Sequence, residues 1–410
     1  MSVPGALAGL KILELGELTA APYAAKLLGD YGAEVIKLEG PRAGDPSRDR
    51  GPFPGGRADP ERSGLFLYLN TNKLGVTLDV DRAAARPVLD RLLRWADVLV
   101  TNHPAPRLNR WNLAPAFLRA SYPKLIVTTI TPFGMDGPYA SYAGDELVTA
   151  SMGGIVYSTP GMPDAAEEQE REPPLHPGCS IAESVTGLVA AAASMVAVFG
   201  RCQSQQGCHV DVSQQATMAA MQQRDVAMSS YSGMPFNRVL NPTVIGRMPN
   251  FYLPCKDGYV VIAAFLDHQW RILVEAMGSP EWALSEAFVG EAERTANWAE
   301  MRLHLIEWTM NQSGDELCEL AAKRYLPFFP FYPIRKVVES DQVHYRKSLA
   351  DVAHMQPGTR MPGSPIGMQG TPWTFRRAAP SLGEHTREVL RDWLGFPDGD
   401  VQQLFASGVV

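Results

Sequence analysis

The sequence predicts an α/β fold: a large Rossmann-like domain with a mostly parallel sheet, joined to a smaller α+β domain. Three observations carry this. The chain opens on a βαβ unit, strand-helix alternation then continues to about residue 130, and the texture changes after Tyr231. GLKILELG (Gly9 to Gly16) reads as a short apolar strand, TAAPYAAKLLGDYG (Thr19 to Gly32) as an Ala/Leu helix closed by glycine, and AEVIKLE (Ala33 to Glu39) as a second strand. VLDRLLRWAD (Val88 to Asp97) follows as a helix, VLV (Val98 to Val100) as a strand, and LIVTTI (Leu125 to Ile130) as another strand after a short helix near Pro115 to Ala120.

After Phe133 the chain turns loop-rich, and Pro, Glu and Gly crowd Pro160 to Pro177, which is where a site is assembled in such folds. ESVTGLVAAAASMVAVFG (Glu183 to Gly200) reads as a small-residue helix suited to close packing on another helix, and CHVDVS (Cys208 to Ser213) as a strand. The boundaries that follow are a large domain over residues 1–205, a linking strand and helix over 206–230, a small domain over 231–332, and a return to the large domain over 333–410. No repeat or low-complexity tract interrupts them.

Composition excludes several classes. In 410 residues, 45% are hydrophobic and 20% charged, the balance of a soluble globular protein, and a net charge of −7 argues against broad binding to nucleic acid or to an anionic membrane. The N-terminus lacks a signal-peptide pattern, and no stretch is read as the roughly 20 uninterrupted apolar residues of a membrane helix, so a cytoplasmic protein is expected. The 5 scattered cysteines suit reduced thiols, and Cys202, Cys208 and His209 lack the further ligands of a zinc site, so no metal is expected.

LELGELTAAPYA holds no G-x-G-x-x-G, which disfavours a nicotinamide dehydrogenase. Several segments in order do resemble the family III CoA-transferases, the family of formyl-CoA transferase, carnitine CoA-transferase and α-methylacyl-CoA racemase. These are LAGLKILELGELTAAPYAAKLLGDYGAEVIKLEGPRAGDPSR, LNTNKLGVTLDV (Leu69 to Val80), ADVLVTNHPAPRLNRW (Ala96 to Trp111), GCHVDVSQQA and PSLGEHTREVL (Pro380 to Leu390). The resemblance spans nearly the whole chain. It implies that the large domain is built from both chain ends, that two subunits interlock as rings, and that an aspartate carboxylate attacks an acyl-CoA thioester, giving a mixed anhydride and then an aspartyl-CoA thioester.

The family's catalytic aspartate lies in G-D-x-x-(T/S)-G, and AESVTG sets Glu183 at that position. The added methylene moves the carboxylate by roughly 1 Å, a displacement that can cost on the order of a hundredfold where alignment governs rate. The first expectation is therefore a non-catalytic or partner-dependent subunit of a hetero-oligomer, resembling a subunit of succinyl-CoA:benzylsuccinate CoA-transferase; the alternative is an active transferase with Glu183 as nucleophile. The resemblance also implies acyl-CoA and an organic acid as substrates, either a related subunit or a second copy as partner, and CoA contacts from Leu18, Thr19, Asn72, Lys73, Asn102 and Arg110. Thr71 and Leu74 stand where many members carry arginine, which implies weaker nucleotide binding. Racemase chemistry is disfavoured because Gly144 stands where racemases place histidine, before Asp145. His103 and His176 receive no role, and MPFNRVLNPTVIGRMPNFY lacks the glycine-rich lid of some members.

Overall fold

The structure, a computed structural model, describes residues 4–157, 159, 174–233, 251–264, 266–352 and 358–410. Two compact units divide the chain: Met1–Thr159, Pro174–Gly233 and Lys347–Val410 form the larger, and Met234–Arg346 lies in the smaller.

The larger unit is built on six parallel strands: β1 (Lys11–Leu15), β2 (Glu34–Glu39), β3 (Lys73–Thr77), β4 (Val98–Thr101), β5 (Ile126–Thr131) and β6 (His209–Ser213). Their order is β3-β2-β1-β4-β5-β6, the doubly wound arrangement in which direction reverses between β1 and β4. Alternate side chains explain the two layers. Ile12, Val35, Val98 and Val100 point to a face covered by α1 (Ala20–Asp30), whereas Leu13, Ile36 and Leu99 point to a face covered by α2 (Arg86–Trp95) and the C-terminal residues Val401 and Val409. Two short helices, α3 (Ala105–Arg110) and α4 (Pro115–Ser121), connect β4 to β5.

Beyond β5, α5 (Glu146–Met152) precedes the long helix α6 (Ile181–Ser204). Small residues set the approach of α1 and α6: a Cβ on Gly187 would stand 2.6 Å from the Ala20 carbonyl oxygen and 3.2 Å from Tyr23 Cβ. By length and composition α6 meets the measure of a membrane-crossing helix, contrary to the sequence expectation, although 33% of its apolar stretch is buried inside the protein. The charges that hide this from a sequence reading, Glu183 and Arg201, lie near its ends.

Three further differences from the sequence reading concern connectivity. β3 is a full member of the sheet, although its Lys and Gly residues conceal it. β6 is the sheet's edge and not a linker, because it pairs with β5 from Val127↔His209 to Thr131↔Ser213. The return to the larger unit begins at Lys347 and not at residue 333. The C-terminal segment then closes the β3 edge: His385 N donates to Gly75 O (2.9 Å), Gly75 N to His385 Nδ1 (3.2 Å), Thr77 N to Thr386 Oγ1 (2.9 Å) and Asp79 N to Val409 O (2.7 Å). The LGEHT segment thus supplies the pairing that an exposed strand edge lacks.

The smaller unit carries an antiparallel sheet, β7 (Phe251–Cys255), β8 (Gly258–Ile262) and β9 (Phe328–Pro330), packed with α7 (Asp267–Ala276), α8 (Trp298–Thr309) and α9 (Gly314–Arg324). Its core gathers Trp270, Leu273, Met301, Leu305, Leu317 and Phe328. The fully buried Arg294 pairs with Asp267 at 2.7 Å and donates to the carbonyls of Phe288 and Val289. The stretch read as lacking a glycine-rich lid falls almost wholly outside the described residues, as does most of Pro160 to Pro177.

Candidate functional site

The carboxyl ends of β1 and β4 diverge at the reversal of strand order, and the crevice this opens is where doubly wound folds bind ligands. A cavity of about 190 Å³ lies there, lined among others by Gly16, Glu17, Asp45, His103, Arg107 and Trp111. Beneath it is a buried chain of charges contributed one residue at a time by neighbouring strands. Lys37 Nζ in β2 contacts Glu14 Oε1 of β1 and Asp45 Oδ2, both at 2.7 Å, and Lys73 Nζ in β3 contacts Glu14 Oε2 at 2.6 Å. Burial opposes the Lys37 charge, yet the carboxylates of Asp45, Glu14 and Glu39 hold its pKa above the ordinary lysine value. For Lys73, burial prevails over Glu14, and nearby Lys37 adds repulsion; its pKa falls to about 8.

Asp45 carries this network into the turn after β1. Its Oδ1 accepts the backbone N–H of Leu18 (2.9 Å) and of Ser47 (2.8 Å), fixing Leu18 at a positive φ of 63°. Burial raises its carboxyl, but the Lys37 ammonium and the N–H groups of Ser47 and Leu18 together outweigh that and hold it below the usual carboxylate range. Thr19, almost fully buried, then begins α1.

Glu183 lies in the first turn of α6, beside this turn. The two residues that lead into the helix, Cys179 (φ 71°) and Ser180 (φ 47°), are both left-handed, a strained arrangement for side-chain-bearing residues and one that recurs at functional sites. Ser180 makes no side-chain cap. Glu146 supplies the cap from α5 instead: Oε1 accepts from Ala182 N at 2.9 Å and Oε2 from Glu183 N at 2.8 Å, while His176 Nε2 stands 3.3 Å from Oε1. Asp145 in turn caps α5 by accepting from Val148 N. Burial raises the Glu183 carboxyl above its ordinary pKa; the Thr19 hydroxyl and the Arg50 guanidinium oppose this, and the negative charges of Glu146 and Asp145 reinforce it.

The structure brings Glu183 and Thr19 together and puts other expected contacts to different use. Lys73 is wholly buried, and its ammonium donates to Pro22 O and Asn70 Oδ1, both at 2.8 Å, besides pairing with Glu14. Asn72 donates to Asp30 Oδ1 at 2.7 Å, and its own Oδ1 accepts from Arg376 N and Arg377 N, fastening the C-terminal segment. Their side-chain donors are thus taken up within the protein, those of Lys73 by Pro22, Asn70 and Glu14 and those of Asn72 by Asp30 and Thr374. Asn102 spends its amide on the Glu17 backbone, accepting from N at 2.9 Å and donating to O at 2.7 Å. Arg110 is exposed and ion-paired with Asp81 at 2.9 Å.

Sequence reasoning missed Glu146, Arg50 and Arg107, since each acquires meaning only across a fold contact. It also left His103 and His176 without roles. His103 is buried, receives Arg107 Nη1 at Nδ1 (3.1 Å), and meets Trp111 edge-on at 4.9 Å. Burial, with Arg107, pushes its pKa down to about 3, so it is neutral. Among the described residues no cluster of His, Cys, Asp and Glu suits a metal ion.

Comparison with known proteins bears on this arrangement. The sequence profile "CoA-transferase family III" matches residues 7–386. The chain is 31% identical over 392 residues to the succinate–glutarate CoA-transferase of Agrobacterium fabrum, covering 94% of this chain and 95% of that protein. It is 28% identical over 410 residues to the succinyl-CoA–L-malate CoA-transferase beta subunit of Chloroflexus aurantiacus, covering 98% of each. A crystal structure of a CaiB/BaiF family protein from Brucella suis superposes with a TM-score of 0.83 at 29% identity, covering 95% of this chain and all of that one. This chain belongs to CoA-transferase family III.

Proposed function

We propose that this protein moves CoA from a succinyl-type acyl-CoA to an organic acid, with Glu183 as the nucleophile. The observation that carries the reading is the position of Glu183: a half-buried carboxylate, raised in basicity by burial, in a strained helix start beside Thr19 and within the field of Arg50. A carboxylate Oε of Glu183 attacks the thioester carbonyl, the C–S bond breaks, and CoA leaves as thiolate, giving an acyl-glutamyl anhydride. The thiolate then attacks the glutamyl carbonyl and expels the donor acid as its carboxylate. The acceptor carboxylate attacks the resulting glutamyl-CoA thioester; CoA departs again and returns to the acceptor's acyl carbon, which frees Glu183. Partial burial serves this sequence because water would hydrolyse either activated intermediate.

The names of the similar proteins support a succinyl donor, and aryl-substituted succinates fall within the same acceptor class. A second reading, in which the chain completes the site of a related catalytic subunit, is favoured by particular contacts. Glu146 already uses the Ala182 and Glu183 donors, and Arg110 and Lys73 are held by Asp81 and Glu14. A similar protein named as a beta subunit points the same way. Under either reading the exposed Leu188, Val189, Val196 and Phe199 of α6 offer an apolar surface that a second chain could cover. Steady-state transfer by the purified chain alone tests the choice. Nucleophilic Glu183 gives double-displacement kinetics that Glu183→Gln abolishes; activity that survives this substitution, or that appears only with a homologous chain added, sinks the first reading.

A further inference from the structure

Among the described residues that line the cavity of about 190 Å³, Arg107 is the one cationic side chain, since His103 is neutral. Five acids share the lining with it: Glu17, Glu39, Asp45, Asp79 and Asp81. Three of them are answered by cations that do not line the cavity, Glu39 by Arg48 at 2.8 Å, Asp45 by Lys37 at 2.7 Å and Asp81 by Arg110 at 2.9 Å. Arg107 faces Glu17, whose Oε1 accepts from its Nη1 at 3.2 Å.

The guanidinium is held but not used up. The same Nη1 donates to His103 Nδ1 at 3.1 Å, while Nε and Nη2 have no hydrogen-bond partner among the described residues. Both side chains of the ion pair are 40% exposed, which makes the pair weak and exchangeable. Their main chains are fixed nonetheless: Asn102 brackets the Glu17 backbone, and Arg107 N donates to Pro104 O at 2.9 Å. A phosphate entering this crevice meets acids on every side and a single cation with open donors. Its approach is favourable only to the extent that this cation turns from Glu17 to the ligand.

We infer that Glu17 and the nucleotide phosphates of CoA compete for Arg107, so that Arg107 is a CoA-binding residue and Glu17 a built-in competitor that sets how tightly CoA is held. This rests on the CoA-transfer reading and names a ligand-binding pair for it. A guanidinium suits the exchange because the edge formed by Nε and Nη2 can take two oxygens of one phosphate at once, whereas Glu17 engages Nη1 alone.

The test measures the dissociation constant of CoA by titration calorimetry at fixed ionic strength for wild type, Glu17→Gln, Arg107→Leu and the double variant, with melting temperature confirming that each is folded. Either single substitution breaks the same ion pair, so a merely structural role would shift both affinities in one direction. Competition gives opposite signs. Arg107→Leu is expected to weaken CoA by roughly 10- to 100-fold, the range of a charge-assisted contact, and Glu17→Gln to tighten it by up to about fivefold, the range of an exposed ion pair. The double variant should match Arg107→Leu, because Glu17 acts through Arg107. Shifts of one sign, or a gain from Glu17→Gln that persists without Arg107, would overturn the inference. If wild type does not bind CoA, the CoA-transfer reading falls with it; if wild type binds and all four proteins bind alike, only the competition falls.

Discussion

Glu146 Oε2 accepts the backbone N–H of Glu183 at 2.8 Å, so two acids share the start of one helix. The free N–H groups and the positive end of the helix dipole there ordinarily stabilise an acid in the first turn. In this chain the donors of Ala182 and Glu183 go to Glu146, and the Glu183 side chain is left with burial, the Thr19 hydroxyl and Arg50. A carboxylate robbed of its helix donors holds its proton more readily and, once ionised, is the stronger nucleophile.

Glu146→Gln removes the charge and keeps one acceptor. Glu183 loses a neighbour that raises its pKa, so the acidic limb of the kcat/KM profile should move to lower pH, because Glu183 then ionises earlier. The helix start should lose about 1 kcal/mol in denaturant unfolding. An unmoved acidic limb would mean that Glu183 does not set it.

Gly187→Ala should destabilise the larger unit by about 1–3 kcal/mol, since the new Cβ meets the Ala20 carbonyl at 2.6 Å. The same displacement moves the start of α6 away from Thr19, so activity should fall more than the unfolded fraction explains. Wild-type melting would show that α1 and α6 do not pack so closely.

His103 sets a pH dependence of stability. Its pKa is about 3 in the folded protein and near 6.5 when unfolded, so between these values the unfolded chain binds more protons and stability is lost as pH falls. Between pH 7 and 5 the loss amounts to as much as about 2 kcal/mol. His103→Phe should flatten that part of the melting-temperature profile while leaving the alkaline side unchanged. A profile as steep as wild type would assign the loss to other groups.

Lys73→Met leaves Glu14 with Lys37 as its remaining cation in a wholly buried network. Unfolding free energy should drop by about 3–5 kcal/mol. CoA affinity of the molecules that stay folded should not change, by equilibrium dialysis; a weakened affinity at unchanged stability would return Lys73 to the ligand.

The fold was legible where periodicity is local. β1, α1 and β2 follow from runs of Ile, Leu and Ala, and α6 from its small residues. β3 was hidden because its lysine and glycine mask a strand whose lysine is satisfied by Glu14 from another strand. The position of Glu183 was legible through the AESVTG stretch and its surroundings were not. Glu146 lies 37 residues earlier, and Arg50 acts on Glu183 from a segment that Asp45 ties to Leu18. For Asn72 and Lys73 the motif gave no hint of what the side chains do within the fold, where they hold the sheet and the C-terminal segment together.

Trapping the activated carboxylate tests the central claim most directly. The chain is incubated with succinyl-CoA, then with hydroxylamine or borohydride, and peptides are mapped by mass spectrometry. The account predicts a hydroxamate or alcohol at Glu183, absent in Glu183→Gln and formed without any second kind of chain. An unmodified Glu183 in a preparation that transfers CoA, or a label found only on an aspartate of a co-purifying homologue, would contradict it.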